Sequence, residues 1–143
     1  MTDPVPAPHI ILDTDAFSFL IARRPQAVNY GPVLRGRVPA LAFVSVAELR
    51  FGALDGGWGD RRKADLEAQI KKCVILPFDD QLTLVWAQLR HQAKQQGLAL
   101  AQASQANDCW IAACGVYYDA PILTGNMRHF AGLGVQLIDG SGA

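Results

Sequence analysis

The sequence has few cysteines, no excess of either charge and no long hydrophobic run. Three cysteines occur among 143 residues, and no two of them have C-x-x-C spacing. A disulfide framework and a zinc site are therefore disfavoured, and a reducing, cytoplasmic compartment is expected. Lys plus Arg and Asp plus Glu number 13 each, so the chain as a whole does not attract nucleic acid. Contact with RNA or DNA would have to come from local basic clusters or metal ions.

No apolar run approaches the ~20 residues that cross a bilayer. The start, MTDPVPAPH, has neither a charged nor an apolar signal-peptide region, so we expect no signal peptide and no membrane association. Its prolines indicate a short flexible leader over residues 1–8. The chain is 50% hydrophobic, which favours one domain over residues 9–143 with a sizeable core.

Short apolar runs alternate with helical patterns along the chain. This alternation predicts an α/β fold, a three-layer α/β/α sandwich with a short, mostly parallel central sheet. The predicted strands are His9–Asp13, Leu41–Val44, Val74–Phe78 (or an extended linker) and the runs APILTG and VQLID. The predicted helices are Ala16–Arg24, a helix from Ser45 to the glycines Gly56 and Gly57, and the segments DRRKADLEAQIKKC, DQLTLVWAQLRHQAKQQG (closed by Gly97) and NDCWIAACGVYY.

Three acids and an amide fall where this fold would bring them to one edge of the sheet. Asp13 closes the first strand, Glu48 lies early in the helix after the second, Asp108 opens the most apolar helix, and Asn126 follows Thr124 and Gly125 after PIL. Ligands of open α/β sheets bind beyond the carboxyl ends of the strands. Clustered carboxylates repel one another, and a hard divalent cation such as Mg²⁺ relieves that repulsion.

Each of these residues also has a purely structural interpretation. Asp15 is the favoured N-cap of the first helix, and Asp13 is a cap or a ligand with equal weight. Ser45-x-x-Glu48 matches a capping box, and Asn107 or Asp108 would cap its own helix. Asn126 after Gly125 fits an ordinary turn. The three histidines have no metal spacing: His91 is expected at the surface, and His9 and His129 are given no role.

Four segments then resemble a known family. IILDTDAFSFL, VSVAELRFGA, NDCWIAACG and ILTGNMRHF are similar, in order, to the signature segments of PIN-domain ribonucleases, and most of all to VapC toxins of bacterial toxin–antitoxin pairs. The resemblance runs from Ile10 to Phe130. It implies metal-dependent hydrolysis of RNA to a 5′-phosphate and a 3′-hydroxyl, a homodimer, and a VapB-type antitoxin that wraps the toxin.

The resemblance also implies roles for particular residues. Asp13, Glu48 and Asp108 would hold Mg²⁺ or Mn²⁺, with Asn126 in the fourth position and Thr14 and Thr124 orienting ligands or water. Many PIN domains have aspartate where Asn126 stands, so three carboxylates would hold one ion well and a second only with substrate. From the residues themselves, we expect Asp15 to cap the first helix beside a metal-bound water, Asp139 to add charge at most, and Arg50 to pair with an acid and hold the pocket. Candidates for RNA contact are Arg128, Arg61 and Arg62, with Lys63, Arg23, Arg24, Arg35 and Arg37.

Two other functions compete with a nuclease. The D-x-D spacing of Asp13 and Asp15 would suit a haloacid-dehalogenase-type phosphatase, with Thr124 and the pair Asp79–Asp80 in its other motifs. The order of those motifs is wrong for that family, and Ala16–Phe17 replaces its usual Gly-Thr. A non-catalytic PIN-like interaction module would use the acids only as helix caps.

Overall fold

The computed structural model describes residues 8–141. Nearly all of the predicted leader, residues 1–8, lies outside this range. Pro8 lies within it, and its carbonyl accepts a 2.8 Å hydrogen bond from the Val38 amide. A single domain over residues 9–143 stays a prediction.

A five-stranded parallel sheet forms the centre of the described chain. Its strands are β1 (His9–Leu12), β2 (Val38–Ala42), β3 (Val74–Leu76), β4 (Ile122–Thr124) and β5 (Leu137–Asp139). Their order is β3-β2-β1-β4-β5, and every neighbouring pair is parallel. Ile10, Ile11 and Leu12 of the central strand are completely buried, as expected for a strand covered on both faces. The predicted strands are all present, but β2 begins at Val38 and shares only Leu41 and Ala42 with the predicted strand Leu41–Val44.

Helices cover both faces of this sheet. They are α1 (Thr14–Ile21), α2 (Tyr30–Leu34), α3 (Phe43–Asp55), α4 (Asp60–Ile70), α5 (Asp80–Gln96), α6 (Ala106–Tyr117) and α7 (Met127–Phe130). Alternate residues of β1 point to opposite faces: Ile10 and Leu12 join a core cluster with α1–α4, whereas Ile11 joins a second cluster with α5 and α6. The predicted three-layer α/β/α sandwich is therefore confirmed.

The junction of β2 and α3 differs from the prediction. The strand ends at Ala42, and the helix begins at Phe43 rather than Ser45. Phe43 and Val44 have strand-like side chains, but both pack in the α5–α6 core cluster from the first turn of α3. Tertiary packing has overridden local propensity here.

The long helix α5 ends where the sequence predicted. Gly97 is its C-cap and has a left-handed backbone, with φ 67° and ψ 30°, which glycine adopts without strain. Within residues 8–141, no helix is both long and apolar enough to span a membrane.

Candidate active site

The candidate site lies where the strand order of the sheet reverses. The chain passes from β1 to β2 on one side, whereas β4 pairs with β1 on the other. Connections that diverge from two adjacent parallel strands leave a crevice beyond their carboxyl ends. Asp13 follows β1, and Thr124 ends β4. Side chains of these two strands therefore meet at the crevice.

A pocket of about 110 Å³ occupies this crevice. It brings together the four residues that the sequence singled out, although they come from four separate segments. Its lining consists of Asp13, Thr14, Asp15, Glu48, Asp108, Asn126 and His129. No Lys or Arg is among these residues.

Asp13 caps α1 and faces the pocket at the same time. Its backbone is extended, and its Oδ1 accepts a 2.7 Å hydrogen bond from the Ala16 amide. The prediction that Asp15 caps α1 is therefore wrong: Asp15 lies in the first turn, and its exposed side chain lines the pocket. The amide of Asp13 still bonds to the carbonyl of Leu123, at 3.2 Å, so the extended conformation of β1 carries Asp13 into the cap position.

Burial has a large effect on Asp13, which is only 5% exposed. Loss of solvation raises its pKa from 3.8 to about 6. Hydrogen bonds from the Thr124 side chain and the Ala16 amide lower the pKa, whereas the charges of Asp15 and Asp108 raise it further. The carboxylate therefore lies in a place that disfavours its own negative charge.

Glu48 is held by α1 rather than by its own helix. The Thr14 hydroxyl donates to Glu48 Oε1 at 2.7 Å and lies 3.0 Å from the hydroxyl of the fully buried Ser45. The capping-box interpretation of Ser45 and Glu48 is wrong, because the N-cap of α3 is Ala42 and makes no side-chain cap. The earlier start of α3 places Ser45 in the first turn and Glu48 one turn further, facing the pocket.

Asp108 lies in the first turn of α6. The N-cap of α6 is Gln105, without a side-chain bond, so the proposed caps at Asn107 and Asp108 are wrong. Burial raises the pKa of Asp108, whereas its contact with His129 lowers it and the charges of Glu48 and Asp15 raise it.

His129 is the site residue that sequence reasoning missed. Its Nδ1 lies 3.1 Å from Asp108 Oδ2, and its ring lines the pocket. A signal was present: His129 follows Asn126 by three residues, one helical turn, in the segment that leaves β4 at the same sheet edge. His91, in contrast, is exposed as predicted.

Thr124 and Asn126 complete the side of the pocket formed by β4. Thr124 is fully buried, contacts Asp13 through its side chain and accepts a 2.9 Å hydrogen bond from the Asn126 amide. The Thr124 hydroxyl thus fixes the turn, and the exposed Asn126 side chain faces the pocket.

Several predicted residues lie elsewhere. Arg50 pairs with an acid as expected, but that acid is Glu67 of α4, at 2.7 Å on the surface, so Arg50 does not hold the pocket. The Arg62 guanidinium stacks over Trp58, 3.6 Å from the ring centroid, and neither it nor Arg61 lines the pocket. Arg128 and Asp139 line an adjoining groove of about 410 Å³ that shares Asn126 and His129 with the pocket.

The donor set determines whether a divalent ion fits this pocket. Its carboxylate and amide oxygens are the ligands that Mg²⁺ and Mn²⁺ prefer. Within residues 8–141, no three Asp, Glu, His or Cys side chains are close enough together to bind one ion directly. Magnesium usually keeps several of its waters and takes only one or two carboxylates. The pocket therefore fits an ion held partly through water.

Comparisons with known proteins agree with this geometry. The family model described as PIN domain matches residues 10–134. The chain is 29% identical over 138 residues to "VapC ribonuclease Y4jK" of Sinorhizobium fredii, which covers 91% of this chain and 96% of the relative.

Solved structures share the fold over nearly the whole chain. VapBC2 from Rickettsia felis, bound to a promoter DNA fragment, matches with a TM-score of 0.76 and 21% identity, over 91% of this chain and 97% of that one. VapBC-5 from Mycobacterium tuberculosis, a member of a toxin–antitoxin family, matches with a TM-score of 0.64 and 26% identity, over 94% and 99%. The family model spans well over half of the sequence, and the chain belongs to the PIN domain family.

Proposed function

We propose that this protein is a Mg²⁺- or Mn²⁺-dependent endoribonuclease, the toxin of a toxin–antitoxin pair. The observation that carries the proposal is the pocket itself, where Asp13, Glu48 and Asp108 converge without a Lys or Arg in the lining. Uncompensated carboxylates are costly to bury. Their grouping at the switch point of the sheet, in a member of the PIN domain family, is best explained by a cation that binds there during function.

Asp13, Glu48 and Asp108 would hold the ion partly through its bound waters, and Asn126 would offer its side-chain carbonyl oxygen. A bound divalent ion would activate water and stabilise charge on the scissile phosphate. Thr14 keeps Glu48 in place through the 2.7 Å bond, and Thr124 with the Ala16 amide does the same for Asp13. The two carboxylates are thus held in position before the metal ion binds, so binding requires little rearrangement of their side chains.

The proposed reaction is hydrolysis of an RNA phosphodiester. Water adds to phosphorus, the bond between phosphorus and the 3′-oxygen breaks, and a 5′-phosphate and a 3′-hydroxyl remain. The groove that adjoins the pocket would be the route for the RNA strand, and Arg128, which lines it, would contact a phosphate. Arg62 stacks on Trp58, and neither Arg61 nor Arg62 lines the pocket or the groove, so both are weaker candidates.

A VapB-type antitoxin is the proposed protein partner, and a homodimer the proposed assembly. The support comes from relatives: the similar structure from Mycobacterium tuberculosis is described as a member of the VapBC family of toxin–antitoxin systems. We place the activity in the cytoplasm, where RNA is available and thiols such as those of Cys73, Cys109 and Cys114 stay reduced.

The rival phosphatase has lost the acidic motif that was assigned to Asp79 and Asp80. Asp79, the first acid of its supposed motif, is the N-cap of α5, and its Oδ1 accepts a 2.8 Å hydrogen bond from the Gln81 amide. It does not line the acidic pocket. Asp79 is thus explained by local structure, and neither Asp79 nor Asp80 lines the pocket beside Asp13.

Sequencing RNA 5′ ends after induction of the protein tests the proposal. The wild type should create new 5′-phosphate ends at defined sites in transfer or ribosomal RNA, and Asp13→Asn should create none. Arg50→Gln serves as a matched control, because Arg50 is charged and near Glu48 in sequence but lies outside the pocket. New ends of equal number in wild type and Asp13→Asn would overturn the proposal.

A further inference from the structure

His129 lies between the acidic pocket and the groove beside it, since its ring lines both. Its position is well anchored. The His129 amide donates to the Asn126 carbonyl at 3.0 Å, and the next residue, Phe130, is only 1% exposed within the α5–α6 core cluster. The backbone that carries the ring is therefore fixed by the turn on one side and by the core on the other.

Asp13 and Glu48, two further acids of the pocket, show what such a neighbour does. Asp13 accepts from the Ala16 amide and is contacted by Thr124, and Glu48 accepts from the Thr14 hydroxyl. Each acid therefore has one oxygen fixed by a donor and further lone pairs left for a ligand. For Asp108, among residues 8–141, the matching donor is His129 Nδ1, 3.1 Å from Oδ2.

We infer that His129 is a positioning residue for the metal: its Nδ1–H holds Asp108 Oδ2 and so directs the carboxylate into the pocket. Either the neutral ring with its proton on Nδ1 or the charged ring can donate this bond. The contribution is geometric, because an untethered carboxylate on the first turn of α6 would rotate about χ1 and χ2. Groups that orient metal ligands in this way typically change metal affinity by about 10- to 100-fold when removed.

Two nearly isosteric variants isolate the donor. In His129→Asn, the side-chain Nδ2 stands close to where His Nδ1 was and can still donate to Asp108. In His129→Leu, a branched side chain of similar size offers no donor. Both side chains are partly exposed in the wild type, 36% for His129 and 29% for Asp108, so the substitutions leave the core unchanged.

Mn²⁺ binding to the metal-free protein, measured by titration calorimetry, tests the inference without any catalytic readout. His129→Leu should bind Mn²⁺ at least about tenfold more weakly than wild type, and His129→Asn should recover most of that loss. In an Asp108→Ala background, His129→Leu should have no further effect, because the group that it positions is gone. Circular dichroism verifies folding, and His129→Ala replaces His129→Leu if the latter does not fold.

The inference rests on the proposed function, and the two can fail separately. Equal Mn²⁺ affinity in wild type and His129→Leu would overturn the positioning role, and so would an equal loss in His129→Asn and His129→Leu. A wild type that binds Mn²⁺ with the expected dependence on His129 but cleaves no RNA would overturn the ribonuclease and leave the positioning role standing.

Discussion

Carboxylates of this protein occur in two contrasting surroundings, and α3 contributes a residue to each. Facing the crevice, Glu48 joins Asp13 and Asp108 in a pocket without a Lys or Arg. Two residues further along, on the outer surface, Arg50 forms a bidentate pair with Glu67 through bonds of 2.7 and 3.1 Å. Burial raises the pKa of Asp13 and Asp108, whereas the Arg50 guanidinium lowers the pKa of Glu67.

The difference separates function from ordinary surface structure. The surface pair compensates its own charges, and both side chains are largely exposed, so solvent screening leaves it little to contribute. The pocket has the opposite balance: Asp13 and Asp108 lose solvation, and no Lys or Arg lines the pocket to compensate their charges. Acidic residues that destabilise the fold in this way are typical of functional sites, where a bound ligand compensates for the lost solvation. The contrast makes predictions that differ in size.

The largest effect is expected for activity. Glu48→Gln keeps the length of the side chain and its bond to Thr14 but removes a charge. Since loss of a group that merely orients a ligand costs about 10- to 100-fold, loss of a ligand charge should lower RNA cleavage by at least about a hundredfold. Arg50→Gln, on the same helix, should retain cleavage within roughly twofold, because it removes only an exposed ion pair. Similar cleavage rates for the two variants would refute the contrast.

The second effect concerns stability and has the opposite sign to the effect on activity. Asp13 has a pKa of about 6 in the folded protein against 3.8 in a free side chain. Between these values the folded state binds more protons, so the stability of the metal-free protein falls as pH rises, and the loss is complete above the folded pKa. At 1.36 kcal/mol per pKa unit, that loss amounts to at most roughly 3 kcal/mol.

Asp13→Asn should therefore be more stable than wild type at pH 7 in EDTA, while its nuclease activity is lost. Asparagine keeps the cap, because its carbonyl oxygen can accept from the Ala16 amide. Urea unfolding of both proteins at pH 4 and pH 7 measures the difference, which should grow with pH. A variant less stable than wild type at pH 7 would show that Asp13 is needed for the fold rather than for a ligand.

Much of this site could be predicted from the sequence, because the positions of strands determine where side chains gather. The apolar runs IIL and PIL located two parallel strands, and residues after such strands meet at one edge. Asp13 and Asn126 were found in this way. Glu48 and Asp108 were found from their places at the starts of helices that the same topology directs to that edge.

The exact start of each helix could not be predicted, and the errors follow from that. Asp13 rather than Asp15 caps α1 because the Asp13 amide still bonds to Leu123, a contact between segments far apart in sequence. Ser45 became a buried residue of α3 because Phe43 and Val44 pack in the core on the α5–α6 side. The place of His129 in the site could not be predicted because it depends on a contact with Asp108, which is 21 residues away in sequence.

A metal ion should stabilise the pocket by a smaller amount that depends on concentration. A ligand at one hundred times its dissociation constant stabilises a folded protein by about 2.7 kcal/mol. Saturating Mn²⁺ should therefore raise the melting temperature of wild type at pH 7, and the rise should be mostly absent in Asp13→Asn. Thermal unfolding scans with and without Mn²⁺, in a buffer free of other divalent ions, measure this difference. An equal rise in both proteins would place the ion outside the pocket.

The smallest effect belongs to the surface pair. Arg50→Ala removes both hydrogen bonds to Glu67, yet the side chains are 56% and 40% exposed, so solvent already screens their attraction. Exposed pairs typically contribute about 0.2–1 kcal/mol, and the free energy of unfolding at neutral pH should change by no more than that. Raising the salt concentration should shrink the difference between wild type and variant, because ions screen exposed charges. A loss well above about 1 kcal/mol that persists at high salt would mean that Arg50 supports α3, and through it Glu48, more than its exposed position indicates.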